Sequence, residues 1–99
     1  MFEIRFTKSA DQELAKLESS SAKKGLVKQI KKSIGYLQTN PKHPSLNTHS
    51  YDSIEHPFNS KEKVFEAYVQ NNTPAAYRIF WCYGPDKKQI TIIAITPHP

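Results

Sequence analysis

The sequence is poor in cysteine and has no long apolar run, and each shortage excludes a class of protein. Its single cysteine, Cys82, cannot form a disulfide within the chain, which excludes a small secreted scaffold held together by disulfides. No apolar stretch approaches the roughly 20 residues that a helix needs to span a bilayer. The N-terminal stretch MFEIRFTKSADQ contains acidic residues and lacks the apolar centre of a signal peptide. Together these shortages predict a cytoplasmic protein.

Cys82 itself lies in the aromatic stretch FWCY. A reactive cysteine needs an electropositive and partly exposed setting, which this stretch does not indicate. We therefore expect a small buried thiol that packs as a hydrophobic residue.

The chain also lacks internal repeats and low-complexity segments, so we expect a single domain over residues 1–99. Hydrophobic residues make up 37% of the sequence and aromatic residues 11%, which is too many for a disordered segment. A domain of this length buries only about 60–65% of the surface of its unfolded chain, so its core is thin.

The net charge of +5 is unevenly distributed along the chain. Residues 1–45 contain nine Lys or Arg against four Asp or Glu, whereas residues 46–99 contain five of each sign. A clustered basic face suits a polyanion such as RNA or DNA, or an acidic protein partner. The alternative is a lysine-rich helix that simply presents a solvated face.

One strand and two helices are predicted in the N-terminal half. Apolar and charged residues alternate from Phe2 to Phe6, as in a short strand with one buried face. Thr7 or Ser9 can cap a first helix, and a second helix is expected over about residues 22–38. Its apolar stripe consists of Leu26, Val27, Ile30, Ile34 and Leu37, and its opposite face carries Lys24, Lys28, Lys31 and Lys32. The two helices form a hairpin whose apolar side needs a sheet to cover.

A long irregular segment over about residues 40–62 follows, because Pro41 ends the second helix. Segments of this length are usually functional or contain small elements of their own. Four apolar residues are candidates to attach it to the core: Leu46, Tyr51, Ile54 and Phe58. It also contains His43, His49 and His56, but their spacing fits no metal site.

Three further strands are predicted over residues 63–70, 76–83 and 89–96. The last is almost entirely apolar and β-branched, as expected of a central strand covered on both faces. We expect an α+β fold in which a two-helix hairpin packs on a four-stranded, mostly antiparallel sheet. Its element order is β-α-α-β-β-β, and the first strand lies beside the last.

One arginine stands out among the apolar residues of the strand over residues 76–83. Alternation places it on one face with Ala76, Phe80 and Cys82, while Tyr77, Ile79, Trp81 and Tyr83 lie on the other face. Arg78 either pairs with a carboxylate such as Glu66, or reaches the rim of the sheet, or offers a fixed cation to a phosphate. Lys61 and Lys63 begin the neighbouring strand and could add positive charge to such a phosphate site.

The C-terminal half resembles the RelE/ParE toxin superfamily. The stretches KVFEAYV, TPAAYRIFW and ITIIAITPHP are similar to the three consecutive strands and terminal histidine of that family, and the element order agrees along almost the whole chain. Membership implies the toxin of a type II toxin-antitoxin system, neutralised by a cognate antitoxin. The resemblance implies either a metal-independent endoribonuclease that cuts mRNA on the ribosome, or a toxin of the ParE kind that binds DNA gyrase, or a member that has lost toxicity.

For the ribonuclease branch, the resemblance implies roles for several residues. The reaction needs a base for the ribose 2′-OH, a cation for the phosphate and an acid for the leaving 5′ oxygen. By its position in the family pattern, Arg78 is the phosphate cation and His98 the general acid. Lys61 or Lys63 lies where RelE-like members keep basic residues.

The resemblance does not assign the base. YoeB-like members have an acidic residue in the loop before the second strand, whereas this chain has PSLNTH there. His49 is the substitute candidate, with Asp52 and Glu55 as further possibilities. Tyr68, Tyr77 and Tyr83 can stack on bases or pack in the core, as other strand aromatics do. We expect no cofactor, no metal and no membrane partner.

Overall fold

The computed structural model of the protein describes residues 1–71 and 73–98, and two helices pack on one face of its five-stranded sheet. In chain order the elements are β1 (Glu3–Phe6), α1 (Lys8–Glu18), α2 (Lys24–Thr39), β2 (His49–Ser50), β3 (Phe65–Tyr68), β4 (Tyr77–Tyr83) and β5 (Gln89–Pro97). Short 3-10 helices lie at Ser21–Lys23 and Pro44–Leu46.

The strands follow the order β1-β5-β4-β3-β2. β1 runs parallel to β5, and the other neighbouring strands are antiparallel. The predicted positions of the first and last strands are confirmed, but the prediction of four strands is wrong. The additional strand, His49–Ser50, is too short and lies too close to prolines to produce an alternating pattern.

The N-terminus of α1 is stabilised by Thr7, one of the two predicted caps. Its hydroxyl accepts a hydrogen bond from Ala10 N at 3.1 Å and donates one to Ile93 O at 2.8 Å. Thr7 N also donates to Ile92 O at 3.0 Å. The same residue therefore starts the helix and attaches it to β5.

Most of the buried core lies between the helices and the sheet. Its fully buried members are Ala10, Ile30, Leu37, Leu46, Ala67, Ile79, Trp81, Ile90, Ile92 and Ile95. A smaller cluster on the opposite face consists of Val64, Phe80 and Cys82, with Tyr51, Ile54, Ile93 and Ala94 packed against it. β5 contributes to both clusters, which confirms the prediction of a strand covered on both faces.

The long segment after α2 is attached to the sheet by the predicted residues Leu46, Tyr51 and Ile54, and also by His56. Leu46 is fully buried, as predicted, whereas Phe58 is 50% exposed and its predicted attachment to the core is wrong. Instead, the His56 ring holds this end of the segment. Its Nδ1 accepts hydrogen bonds from Phe58 N and Asn59 N at 3.1 Å, and its Nε2 donates to Tyr83 O at 3.0 Å.

Over residues 1–71 and 73–98, neither helix combines the length and the apolar character that crossing a membrane requires.

Candidate active site

The candidate site lies on the sheet face that points away from the helices. Tyr68 and Arg78 are direct partners across β3 and β4, and Glu66 is opposite Phe80. Because side chains alternate along a strand, Glu66, Tyr68 and Arg78 share one face. Arg78 therefore lies on the face that the sequence predicted for it.

Glu66 is the centre of the site. Its side chain is 3% exposed, and its Oε1 lies 2.6 Å from His49 Nε2. Its Oε2 lies 3.6 Å from Arg78 Nε and 3.7 Å from His98 Nε2. One buried carboxylate is thus surrounded by three nitrogen-bearing side chains that come from three different parts of the chain.

The hydrogen bonds of His49 define where its protons are. Nδ1 lies 2.9 Å from Asn47 O, and a carbonyl oxygen can only accept, so Nδ1 must carry a proton. The short contact between Nε2 and Glu66 Oε1 requires a second proton between those two atoms. The short contact therefore joins the buried Glu66 carboxylate to the His49 side chain, which is 49% exposed.

Arg78 is held in place on several sides. Its Nη1 donates to Gln70 O at 2.6 Å and to Tyr77 O at 3.2 Å. Its central guanidinium carbon lies 3.7 Å from the centroid of the Tyr68 ring, which is cation-π geometry. The side chain is only 9% exposed. The carboxylate pairing that the sequence offered as one alternative is therefore present, and the guanidinium lies beneath the surface.

Two atoms at the centre of the site are buried without a hydrogen-bond partner among the described residues: Glu66 Oε2 and Arg78 Nε. At 3.6 Å they attract each other electrostatically but are too far apart for a good hydrogen bond. Buried polar atoms are nearly always paired in folded proteins. Glu66 Oε2 therefore has an unused acceptor position beneath the surface of the site.

His98 is held at the site by its backbone as well as its ring. Its amide donates to Ala76 O at 2.7 Å, directly after β5 ends at Pro97. Its side chain is 50% exposed. Together with the half-exposed His49, it forms the solvent-facing part of the cluster.

The predicted lysines lie elsewhere. Phe65 pairs with Trp81, so Lys63, two residues earlier, is opposite Tyr83 and about 16 Å along β4 from Arg78. Lys61, Lys63 and Tyr83 instead line a groove of about 740 Å³ at that end of the sheet. The prediction that these lysines lie beside Arg78 is wrong, because Arg78 is near the start of β4 and they lie near its end.

Asp52 and Glu55, the less favoured base candidates, line a separate cavity of about 470 Å³ with Lys61 and Lys63. Neither is among the groups that contact Glu66. Tyr77 packs against the core under the helices. Of the three tyrosines considered, only Tyr68 lies in the site.

Sequence reasoning named Glu66 only as a structural partner of Arg78 and missed it as the centre of the cluster. The available signal was the pairing of β3 with β4, which puts a carboxylate and a guanidinium diagonally opposite on one face. The contributions of His49 and His98 come through β2 and the end of β5, whose positions depend on tertiary contacts.

Within residues 1–71 and 73–98, no group of three or more His, Cys, Asp or Glu side chains has the arrangement to hold a metal ion. The absence of a cofactor remains a prediction from the resemblance.

Solved toxin structures share this fold. The YoeB dimer from Staphylococcus aureus has a TM-score of 0.71 and 14% identity, over 99% of this chain and 98% of that chain. A YoeB/ParE toxin from Agrobacterium tumefaciens has a TM-score of 0.69 and 11% identity, over 99% and 100% of the two chains. The archaeal RelE-RelB complex from Pyrococcus horikoshii OT3 has a TM-score of 0.65 and 14% identity, over 97% and 93%.

No family model matches the sequence, and a search of curated proteins also gave no match. The likeness is thus one of three-dimensional structure, and it extends over nearly the whole of each chain. The protein therefore has the α+β fold of the RelE/YoeB toxin superfamily.

Proposed function

We propose that the protein is the toxin of a type II toxin-antitoxin pair and that it cuts mRNA on the ribosome. The observation that carries the proposal is the position of Glu66, buried between Arg78 and two half-exposed histidines. Such a cluster combines an acceptor, a proton donor and fixed positive charge within one small region. These are the three requirements of RNA cleavage by the ribose 2′-OH.

In the proposed reaction, the Glu66 carboxylate takes the proton of the 2′-OH through the acceptor position on Oε2. The 2′ oxygen then forms a bond to phosphorus, the bond from phosphorus to the 5′ oxygen breaks, and a 2′,3′-cyclic phosphate remains. His98 donates a proton to the departing 5′ oxygen. His98 Nε2 lies 3.7 Å from Oε2, and in this step the half-exposed His98 side chain must turn aside for the 2′-OH to reach Oε2.

His49 positions the Glu66 carboxylate, and Arg78 supplies positive charge to the site. His49 orients the Glu66 carboxylate by its bond to Oε1. Arg78 stabilises the extra negative charge of the phosphate in the transition state. It acts from beneath the surface, where the low dielectric strengthens its field.

The proposed partners are a cognate antitoxin, the ribosome and mRNA. One of the solved structures with this fold is a complex of RelE with RelB. The exposed lysines of α2 include Lys24, Lys28, Lys31 and Lys32, and they provide the positive surface that an acidic or polyanionic partner needs.

The test is cleavage by purified protein added to translating ribosomes, with the cut sites mapped on the mRNA. We expect cuts from the wild-type protein and a loss of at least 100-fold in the Glu66→Gln variant, which keeps the size of the side chain. His98→Ala should lose activity similarly. Glu18→Gln, which changes an exposed carboxylate on α1 on the other side of the sheet, is the matched control and should cut normally.

Circular dichroism must show that the inactive variants are folded. Absence of cuts by the wild-type protein, or full activity in both Glu66→Gln and His98→Ala, overturns the ribonuclease assignment. Growth arrest that survives both substitutions, together with capture of DNA gyrase, would instead favour a toxin of the ParE kind. Overexpression without growth arrest would indicate a non-toxic member that only binds an antitoxin.

A further inference from the structure

A cavity of about 710 Å³ lies on the helix side of the sheet, between the segment at residues 41–49 and the aromatic residues of β3 and β4. We call it the loop pocket. The residues that matter here are Lys42, Asn47, His49, Phe65, Trp81 and Tyr83. Its volume is in the range of small-molecule binding sites in proteins.

The wall of the loop pocket is aromatic. Phe65 stacks on Trp81 with ring centroids 4.8 Å apart, and Tyr83 meets both rings edge-on at 5.9 Å and 5.0 Å. Tyr83 is 42% exposed. The indole N–H of Trp81 is buried without a hydrogen-bond partner among the described residues. The wall thus offers aromatic surface, chiefly that of Tyr83.

The loop pocket and the candidate site lie on opposite faces of the sheet, and His49 at the β2 edge belongs to both. The same side chain lines the pocket and contacts Glu66 Oε1. A single RNA strand that passes around this edge of the sheet can therefore reach both the pocket and the carboxylate.

On its other side the loop pocket borders the groove of about 740 Å³ described above, since Phe65 and Tyr83 line both. The groove contains Lys61, Lys63 and Lys87 against Glu62 and Asp86. Exposed aromatics beside an excess of lysines are typical of surfaces that bind single-stranded nucleic acid.

We infer that the loop pocket binds a nucleobase of a single-stranded RNA whose scissile phosphate lies at Glu66 and whose neighbouring phosphates follow the lysine groove. This inference rests on the proposed function. An aromatic platform provides the stacking surface, and Asn47 provides hydrogen bonds to the edge of the base. Lys42, Lys61, Lys63 and Lys87 match the charge of the backbone. A neutral apolar ligand would not explain this concentration of lysines.

Trp81 is the only tryptophan of the chain, so its fluorescence reports directly on the pocket. The probe is a short RNA with a 2′-deoxy substitution at the cut position, which prevents cleavage. We expect saturable quenching that weakens as salt rises. Tyr83→Ala should weaken binding about 5- to 100-fold, the loss expected from one base stack, while Tyr83→Phe should bind normally.

Two controls make the result specific. Phe6 is an exposed aromatic residue on β1, at the opposite edge of the sheet, and Phe6→Ala should bind as the wild type does. A matched RNA that lacks the base at the nucleotide bound in the loop pocket should bind more weakly than the complete RNA. The loss should equal the affinity that the Tyr83 side chain contributes. Equal affinity of wild type and Tyr83→Ala, or equal binding of the abasic RNA, overturns the inference.

The two proposals can fail separately. If mRNA cutting depends on Glu66 but no RNA probe changes the Trp81 fluorescence, the ribonuclease proposal stands. The proposal that the loop pocket binds a base is then rejected. If Tyr83-dependent binding occurs without any cutting, the pocket is retained and the ribonuclease proposal fails.

Discussion

Glu66 and Arg78 meet diagonally across β3 and β4, with Arg78 Nε 3.6 Å from Glu66 Oε2. Their side chains are 3% and 9% exposed, so the pair is almost completely removed from water. Removing one member of a buried pair leaves the other charge without compensation, which costs far more than the pair itself contributes.

We therefore expect Glu66→Met and Arg78→Met each to lower the free energy of unfolding by about 3–5 kcal/mol. The double variant should lose clearly less free energy of unfolding than the two single variants lose together, since neither buried charge remains. Urea unfolding of the four proteins checks this. Additive losses would show that the two groups are not coupled.

The matched control for these variants of Glu66 and Arg78 is the exposed pair of Glu18 and Lys31, whose charged atoms are 2.9 Å apart. Because these side chains are 43% and 58% exposed, solvent screens the attraction. Removing either partner should change the free energy of unfolding by about 1 kcal/mol or less.

Thr7 caps α1 and also bonds to β5. Thr7→Val keeps the shape of the side chain but removes both hydrogen bonds of the hydroxyl. It should lower the free energy of unfolding by about 1–3 kcal/mol. Thr7→Ser keeps the hydroxyl and should stay close to the wild type. Thermal or urea unfolding measures the difference, and equal stability of the two variants would contradict the dual role.

His56 joins the segment around Phe58 to the end of β4 by three hydrogen bonds. His56→Ala leaves these backbone groups unpaired, and we expect a loss of about 2–4 kcal/mol. Hydrogen exchange at the Phe58 and Asn59 amides should speed up in the variant. The exposed Asn59 side chain is the control. It accepts one hydrogen bond from Lys61 N, and Asn59→Ala should cost about 1 kcal/mol or less. Unchanged exchange at both amides would rule out this role of His56.

Burial raises the pKa of Cys82 from its ordinary value of 9.0 to about 11. Between these pH values the unfolded chain releases the thiol proton while the folded chain retains it. The free energy of unfolding should therefore fall by about 2–3 kcal/mol as the pH rises from 9 to 11. Cys82→Ala should lose less stability over that interval, as measured by urea unfolding at several pH values. Equal slopes for both proteins would show that the thiol does not contribute.

The prediction of a buried structural thiol is confirmed, since Cys82 is fully buried. The helical stripes, the alternating strands and the central position of β5 could also be read from the sequence. Local periodicity carries that information because it reflects which face of each element avoids water.

The chain by itself determined the two helices, the four main strands and the face of β4 that carries Arg78. Tertiary structure decided that Glu66 is the centre of the site, that His49 and His98 reach it, and that the lysines lie at the other end of the sheet. These relationships depend on strand register and on the path of an irregular segment. Both are set by packing between residues far apart in sequence, which no local pattern records.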